Sequence, residues 1–271
     1  PNIFDRLRGA KNRLFTTYTA AEAIEATSLT GFDVMDGFVL GTDVSYGSVN
    51  SASIPYINWN FKRAPGFFDE VCYTGTGAAQ DISHNLATAP ELIIFKSRSI
   101  AQDWYEADTF TTTNFNRKLL NLTSAGGTVT MSSSAPLTSQ PTSTIFSLGT
   151  AVNNNTSGAT YVAYLFATLA GVSKVGSYTG NGSSQTIPCG FSAGARFILI
   201  KRTNAAGDWY VWDTARGIVT GNDPHLSLNT TVAEITLDDS IDPDSSGFIV
   251  NQIATTNINV SAATYIFLAI A

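Results

Sequence analysis

Aspartates flank two tryptophans in this sequence, and that combination can describe a glycosidase site. The residues are Asp103, Trp104 and Asp108, and further along Asp208, Trp209 and Asp213. A glycosidase needs two carboxylates roughly 5 to 9.5 Å apart across its sugar. Because the same group stands twice in the chain, we interpret these aspartates as structural residues that cap turn backbone. We therefore assign no catalytic residue to them.

Metal and cofactor chemistry finds little support in the sequence. His84 and His225 have no Cys, Asp or Glu at a spacing typical of a zinc site. Residues 238–247 could gather carboxylates around Ca²⁺, but they lack the EF-hand spacing and its closing glutamate, so we predict a solvated acidic loop. No phosphate-binding loop, nucleophile elbow or dinucleotide fingerprint is present. The sequence predicts no enzyme, no metal and no cofactor.

Part of the chain occurs in two similar copies, and one tryptophan is present in only one of them. Trp212 stands where the corresponding position is Ala107, so we predict that its ring is exposed and contacts a ligand. The acidic run lies downstream of it. The candidate glycan-contact residues are Trp212, Asp238, Asp239, Asp242 and Asp244.

The chain repeats itself, and this is the strongest feature of the sequence. The run Tyr-Thr-Gly-Thr-Gly at 73–77 returns as Tyr-Thr-Gly-Asn-Gly at 178–182, and positions 73 and 178 differ by 105. The same offset relates Lys96 to Lys201 and Trp104 to Trp209. The shared tryptophans are predicted to lie in the core. Trp59 aligns with Tyr164 and Leu268, so that position requires only bulk.

The later part of the repeat occurs three times. Gly37–Leu40 corresponds to Gly247–Val250 and more loosely to Ile145–Leu148, and each is followed by an apolar run that opens at Tyr56, Tyr161 or Tyr265. We predict the second half of a β unit at 1–67, a complete unit at 68–172 and another at 173–271.

A half sandwich has consequences for assembly. It leaves an apolar face and strand edges without partners, which favours association. The missing half could lie upstream in a longer parent protein, in a neighbouring subunit or in the next unit. From the start at Pro1 we also expect a fragment or a processed piece.

Short apolar runs bounded by Gly, Pro, Asn and Ser predict an all-β fold of tandem β-sandwich, jelly-roll-like units of about 100 residues each. Residues 92–95 and 197–200 are continuous apolar runs, so we place them at the sandwich centre. Trp104 and Tyr105 follow as the second arm of a hairpin. Residues 20–26 form the only helix-like pattern.

Composition excludes several classes of protein. The chain is 44% apolar and 13% charged with a formal net charge of -6, whereas nucleic-acid and anionic-membrane binders need clustered positive charge. No apolar run approaches the roughly 18 residues of a membrane span, so no membrane insertion is expected. Cys72 and Cys189 are too few for a disulfide framework and are predicted to be free thiols.

These motifs resemble a repeat module of unknown function from tail-fibre and related virion proteins of tailed bacteriophages, many of them marine. The resemblance rests on the glycine turn, His84-Asn85-Leu86, Pro90, residues 92–96 and Trp104, and on the linking residues 59–68. It covers essentially the whole chain. Ala87 replaces the usual glycine and Cys189-Gly190-Phe191 replaces His-Asn-Leu, so no catalytic residue is carried over.

The resemblance implies a phage virion component, assembled in the host cytoplasm, that joins other tail proteins. It implies a homo-oligomer, a trimeric fibre segment that acts as a spacer and attaches to the host surface. Several weak sites on one rigid body would then act together. Three alternatives stay open: a carbohydrate-binding module for host surface glycan, a depolymerase that cleaves it, and a capsid fibre or decoration protein.

Overall fold

The protein is an all-β molecule built from several antiparallel sheets, which confirms the fold predicted from the sequence. The computed structural model describes residues 1–35, 37–42, 49–110 and 114–271. Within these residues, no helix has the length and apolar character needed to cross a membrane. The unit boundaries at 67 and 172 stay a prediction, and the three segments are named here the half-unit (1–67), the middle unit (68–172) and the C-terminal unit (173–271).

Among its described residues, the half-unit has five short strands in two small sheets. They are β1 (Asn2–Ile3), β2 (Asn12–Phe15), β3 (Ala23–Ile24), β4 (Leu29–Val34) and β5 (Gly37–Leu40). Strands β1, β2 and β3 form one sheet and β4 pairs with β5. The helix-like residues 20–26 therefore hold a strand, so that prediction was wrong. The backbone of Ala23 and Ile24 pairs with β2, and such long-range pairing overrides a local helical preference.

In the described part of the middle unit there are eight strands in two sheets. They are β6 (Phe68–Thr74), β7 (Gln80–Ser83), β8 (Leu92–Ser97), β9 (Tyr105–Asp108), β10 (Asn114–Leu119), β11 (Gly127–Thr130), β12 (Ile145–Leu148) and β13 (Thr160–Phe166), with one helical turn, α1 (Val152–Asn155). The large sheet has the order β11-β10-β9-β8-β13-β6, and β12 pairs with β7.

The C-terminal unit repeats this arrangement. Its strands are β14 (Ser173–Thr179), β15 (Gln185–Pro188), β16 (Phe197–Arg202), β17 (Trp209–Asp213), β18 (Leu226–Ser227), β19 (Ile241–Asp244), β20 (Gly247–Val250) and β21 (Thr264–Ile270). The sheets have the orders β14-β21-β16-β17-β18 and β15-β20-β19. Thus β21 lies between β14 and β16 just as β13 lies between β6 and β8.

The central strands bury both of their faces. In β8, Ile93 and Phe95 belong to the core inside the middle unit, whereas Leu92 and Ile94 belong to a second apolar cluster on the other side of the sheet. In β16, Ile198 and Leu199 divide between two clusters in the same way. Two buried faces explain why these runs are continuously apolar rather than alternating.

All three segments surround that second cluster, which we call the shared cluster. The half-unit contributes Leu14, with Ile3, Trp59 and Phe61 packed against it. The middle unit contributes Phe68, Leu92, Ile94, Trp104, Leu120, Val162, Tyr164 and Phe166, and the C-terminal unit contributes Val175, Leu199, Trp209, Val211, Ile266 and Leu268. The core position predicted for Trp104 and Trp209 is confirmed, since their exposed fractions are 0% and 1%.

The glycine turn of the repeat has the same construction in both complete units. Gly77 and Gly182 have φ angles of 71° and 79°, the positive values that glycine adopts without strain. Gly180 is required for a different reason, because a Cβ atom there would lie 2.3 Å from the backbone oxygen of Val260. Gly75 has the same relation, also at 2.3 Å, to Thr156.

We expect Gly180→Ala to destabilise the protein by about 1–3 kcal/mol, because the added methyl group would force the turn away from the Val260 carbonyl. The measurement is the free energy of unfolding in urea. Gly127→Ala is the matched control, since a Cβ atom on this strand glycine meets nothing within 4 Å. Equal losses in the two variants would contradict the close-approach explanation.

Candidate functional site

The aspartates beside the repeated tryptophans hold the fold together through an asparagine. Asn121 Nδ2 donates to Asp103 Oδ1 at 2.9 Å, and Asn121 Oδ1 accepts the backbone N–H of Trp104 at 2.7 Å. In the C-terminal unit, Asn229 joins Asp208 to Trp209 in the same way, at 2.7 and 2.8 Å. These acids are thus tied to hairpin backbone, and sequence reasoning had missed the asparagines.

Asp213, the second repeated aspartate of the C-terminal unit, binds an arginine three residues later. Asp213 Oδ2 accepts hydrogen bonds from Arg216 Nε at 2.7 Å and from Trp59 Nε1 at 2.9 Å. In the half-unit, Asp5 accepts from Arg8 Nε and, at 2.7 Å, from the Tyr164 hydroxyl. Both carboxylates therefore join one segment to another. Such buried, paired acids provide structure rather than a pair of carboxylates facing a cleft.

Four of the hydrogen bonds between the half-unit and the middle unit form a set that we call a joint. Lys96 Nζ donates to the Thr19 carbonyl at 3.0 Å, and Gln102 N donates to the same carbonyl at 2.8 Å. Trp104 Nε1 donates to the Phe15 carbonyl at 2.7 Å. Glu22 N donates to the Arg98 carbonyl at 2.8 Å.

The middle and C-terminal units meet through a second joint of the same design. Lys201 Nζ and Gly207 N donate to the Thr123 carbonyl at 3.1 and 2.9 Å. Trp209 Nε1 donates to the Leu119 carbonyl at 3.2 Å, and Gly126 N donates to the Thr203 carbonyl at 2.7 Å. The repeated lysine and tryptophan of each unit therefore reach the preceding segment.

The lysine of the joint is a buried cation. Lys96 is 1% exposed and donates to two carbonyls, those of Thr19 and Gln102. Burial lowers the pKa of Lys96 to about 8. Carbonyl oxygens satisfy the ammonium donors but supply no full negative charge, so this lysine fixes two backbones at a cost in solvation.

The predicted glycan-contact residues do not form one exposed surface. Trp212 is 0% exposed and packs against His225, with ring centroids 5.5 Å apart. The prediction that its ring is exposed was wrong, because the position faces the inner core, where Ala107 is equally buried in the middle unit. Trp212 thus has no free face to stack on a sugar.

The acidic run is a hairpin rather than a loop. Asp242 and Asp244 lie in β19, which pairs with β20, so the prediction of a loop over 238–247 was wrong for these residues. Asp244 receives hydrogen bonds from Ser246, and these lower its pKa. Asp239 Oδ1 and Asp242 Oδ2 accept from the same amide group, Asn251 Nδ2, at 2.9 and 2.8 Å.

A buried carboxylate, that of Asp223, lies beside this hairpin. Asp223 is 0% exposed, and its carboxylate accepts the backbone N–H groups of Val219 at 2.9 Å and Ile241 at 3.2 Å. Burial raises the pKa of Asp223 to about 7, with the charges of Asp242 and Asp239 adding to the effect. Sequence reasoning missed Asp223, because single aspartates in turns are common.

His225 and Asp238 form a buried contact that also escaped sequence reasoning. His225 Nδ1 lies 3.3 Å from Asp238 Oδ1, and burial lowers the pKa of the histidine. His84 is likewise buried, and its Nε2 lies 3.2 Å from the Thr142 carbonyl. Within the described ranges, no three or more His, Cys, Asp or Glu side chains are grouped to hold a metal ion. Cys72 and Cys189 are free thiols, as predicted.

A family described as Domain of unknown function (DUF7483) matches residues 1–271 of the chain. No curated protein and no solved structure matches the chain.

We expect Asn121→Ala to lower the free energy of unfolding by about 1–3 kcal/mol, because it leaves the buried Trp104 N–H and the Asp103 carboxylate without this partner. Urea denaturation followed by tryptophan fluorescence measures the loss. Asn85→Ala is the matched control, since the Asn85 side chain is exposed. A loss no larger than the control's would contradict a structural role for the aspartate.

We expect Asp223 to titrate near pH 7, and a carboxyl ¹³C NMR titration would measure this. An unfolded aspartate titrates near 3.9, so the folded chain holds an extra proton between about pH 4 and pH 7. The contribution of this group to stability is therefore present below pH 4 and is lost as the pH rises through 7. Asp242→Asn should lower the pKa of Asp223 by removing a neighbouring charge. An ordinary pKa in the unaltered protein would contradict this account.

Proposed function

The chain belongs to the DUF7483 family of domains of unknown function, and we propose that it serves as a non-catalytic structural segment of a bacteriophage virion. In this proposal it is a tail-fibre segment that spaces other tail proteins and attaches the particle to the host surface. It contains no catalytic residue and uses no cofactor.

One observation carries the non-catalytic part of this proposal. The side chains that most resemble catalytic groups are engaged in duplicated packing contacts: Asp103 and Asp208 bind asparagines, and Lys96 and Lys201 bind carbonyls of the preceding segment. A side chain that recurs in each unit with the same kind of partner stabilises the fold of the unit. Catalytic acids would instead face a cleft at the reacting bond.

The virion part rests on the sequence resemblance and on composition. The glycine turn, residues 92–96 and the tryptophan motif resemble repeats of tail-fibre proteins. A chain with 13% charged residues can pack against sister subunits or polar glycans with little desolvation of ions. We propose that copies associate as a trimer, as the resemblance implies.

We expect size-exclusion chromatography with light scattering to give three times the chain mass at micromolar concentration. This mass would support the trimeric fibre. A stable monomer over the whole concentration range would remove the trimer and weaken the fibre proposal. The Gly127→Ala protein is a suitable control, because its substitution contacts nothing.

We expect no sugar release when the protein is incubated with a panel of bacterial exopolysaccharides. Reducing-end assays measure the product. Release that disappears in Asp103→Asn would replace the proposal with a depolymerase. Binding on a glycan array that disappears in Asp239→Asn, without sugar release, would replace it with a carbohydrate-binding module.

A further inference from the structure

The half-unit exposes an apolar face whose counterparts are fully buried in both complete units. Leu40 is 40% exposed, whereas Leu148 and Val250 at the same repeat position are 0% exposed. Ile54 is 55% exposed against 4% for Ala159. Tyr56 is 49% exposed, and its counterparts Tyr161 and Tyr265 are 0% exposed. We call Leu40, Ile54 and Tyr56 the open face.

In the complete units, the first half of the same unit covers these positions. Strand β12 pairs with β7, and β13 lies between β6 and β8. Likewise β20 pairs with β15, and β21 lies between β14 and β16. In the half-unit, residues 55–63 correspond to these central strands and form no strand. A central strand is hydrogen-bonded to one neighbouring strand on each side. Among the described residues, neither neighbouring strand is present for residues 55–63.

The open face nevertheless has the local geometry of its buried counterparts. The backbone N–H of Ser51 donates to the Tyr56 hydroxyl at 3.1 Å, as Thr156 does to Tyr161 and Val260 does to Tyr265, each at 3.0 Å. The turn between has the same positive φ in all three copies, 64° at Ser53, 76° at Gly158 and 61° at Ala262. The half-unit thus holds the shape of a complete unit at this turn.

A second surface lacks the cover that its two counterparts have. Thr19 and Thr123 accept the lysine and backbone hydrogen bonds of the joints. The corresponding residue of the C-terminal unit is Thr231, and residues 231–237 are all exposed, with Val232 at 63% and Leu237 at 81%. No described residue donates to Thr231 in the way that Lys96 donates to Thr19.

The segments that carry the two surfaces meet at the shared cluster. Tyr164 of the middle unit donates to Asp5 of the preceding half-unit, and Trp59, at the same repeat position, donates to Asp213 of the C-terminal unit. The half-unit therefore packs against the C-terminal unit in the same arrangement in which the middle unit packs against the half-unit. A first half added to the half-unit would consequently lie over residues 231–237.

We propose that the open face and residues 231–237 together form the docking site for the first half of a further unit of the same kind. The occupant is a segment of three strands that correspond to β6, β7 and β8 and pair with strands of the second half. Its third strand is apolar and has a lysine near its end, followed eight residues later by tryptophan, the spacing of Lys96 and Trp104. Its lysine donates to the Thr231 carbonyl, and its tryptophan donates to the carbonyl of Ser227, the counterpart of Leu119. A second intact copy of this chain does not fit, because its own lysines and tryptophans already form joints.

The structure defines the connection for a test. Thr16 N donates to the Pro1 carbonyl as Leu120 N donates to Trp104 and Leu228 N to Trp209, so Pro1 stands at the tryptophan position. A copy of residues 68–104 placed directly ahead of Asn2 in the full chain would supply the occupant in register. Hydrogen exchange followed by mass spectrometry would report on residues 37–40 and 53–60.

We expect the graft to slow amide exchange in both stretches at least about tenfold and to bring it near that of residues 145–148 and 158–165. A graft in which its own lysine and tryptophan are replaced by alanine should protect less. Leu40→Asp is the matched variant, since it changes a side chain that is exposed in the ungrafted protein. It should abolish the protection in the grafted chain and leave amide exchange in the ungrafted chain unchanged.

Two results would overturn the proposal. One is unchanged exchange in the grafted chain although circular dichroism shows the added strands. The other is concentration-dependent protection of the open face in the ungrafted chain that Leu40→Asp removes, which would make a second copy the occupant.

Discussion

The structure depends on the need to bury both faces of its central strands. A sandwich of two sheets covers only one face of each sheet, yet β8, β13, β16 and β21 are apolar on both sides. The outer faces of the two large sheets must therefore find further cover. They find it in each other and in Leu14, Trp59 and Phe61 of the half-unit. Apolar burial at this shared cluster is what makes three segments one body.

Polar groups then determine how the segments are placed. Apolar packing has no direction, whereas the joints use a lysine, a tryptophan and two backbone amides with fixed geometry. The lysine and tryptophan donors are buried and would cost free energy if their carbonyl partners were absent, so a slipped arrangement is penalised. The first joint also has ion pairs between Glu22 and both Arg8 and Arg98, but the second has Gly126 and Thr203 at the corresponding places. Ion pairing between side chains is thus an addition to the joint rather than its basis.

Sequence reasoning recovered the elements whose signal is local. The continuous apolar runs identified β8 and β16, and the exact offset identified the glycine turn and the core tryptophans. It missed Asn121 and Asn229 because they are 108 positions apart, which an ungapped offset of 105 does not align. It missed the buried Trp212 because a difference in size between Ala107 and Trp212 was read as a difference in exposure. It could not find Asp223 or the contact of His225 with Asp238, since these depend on which turns meet in space.

The equivalence between Tyr164 bound to Asp5 and Trp59 bound to Asp213 has a consequence for how such chains could lengthen. A head-to-tail contact that returns to its starting point after three steps is a closed rotation, and closure sets the number of participants. Solenoid repeats add units without limit along one axis. With a first half added to the half-unit, three units would surround the shared cluster, and a fourth would have no position there. A longer chain of this architecture would therefore grow as successive, separate groups of three units rather than as one continuous superhelix.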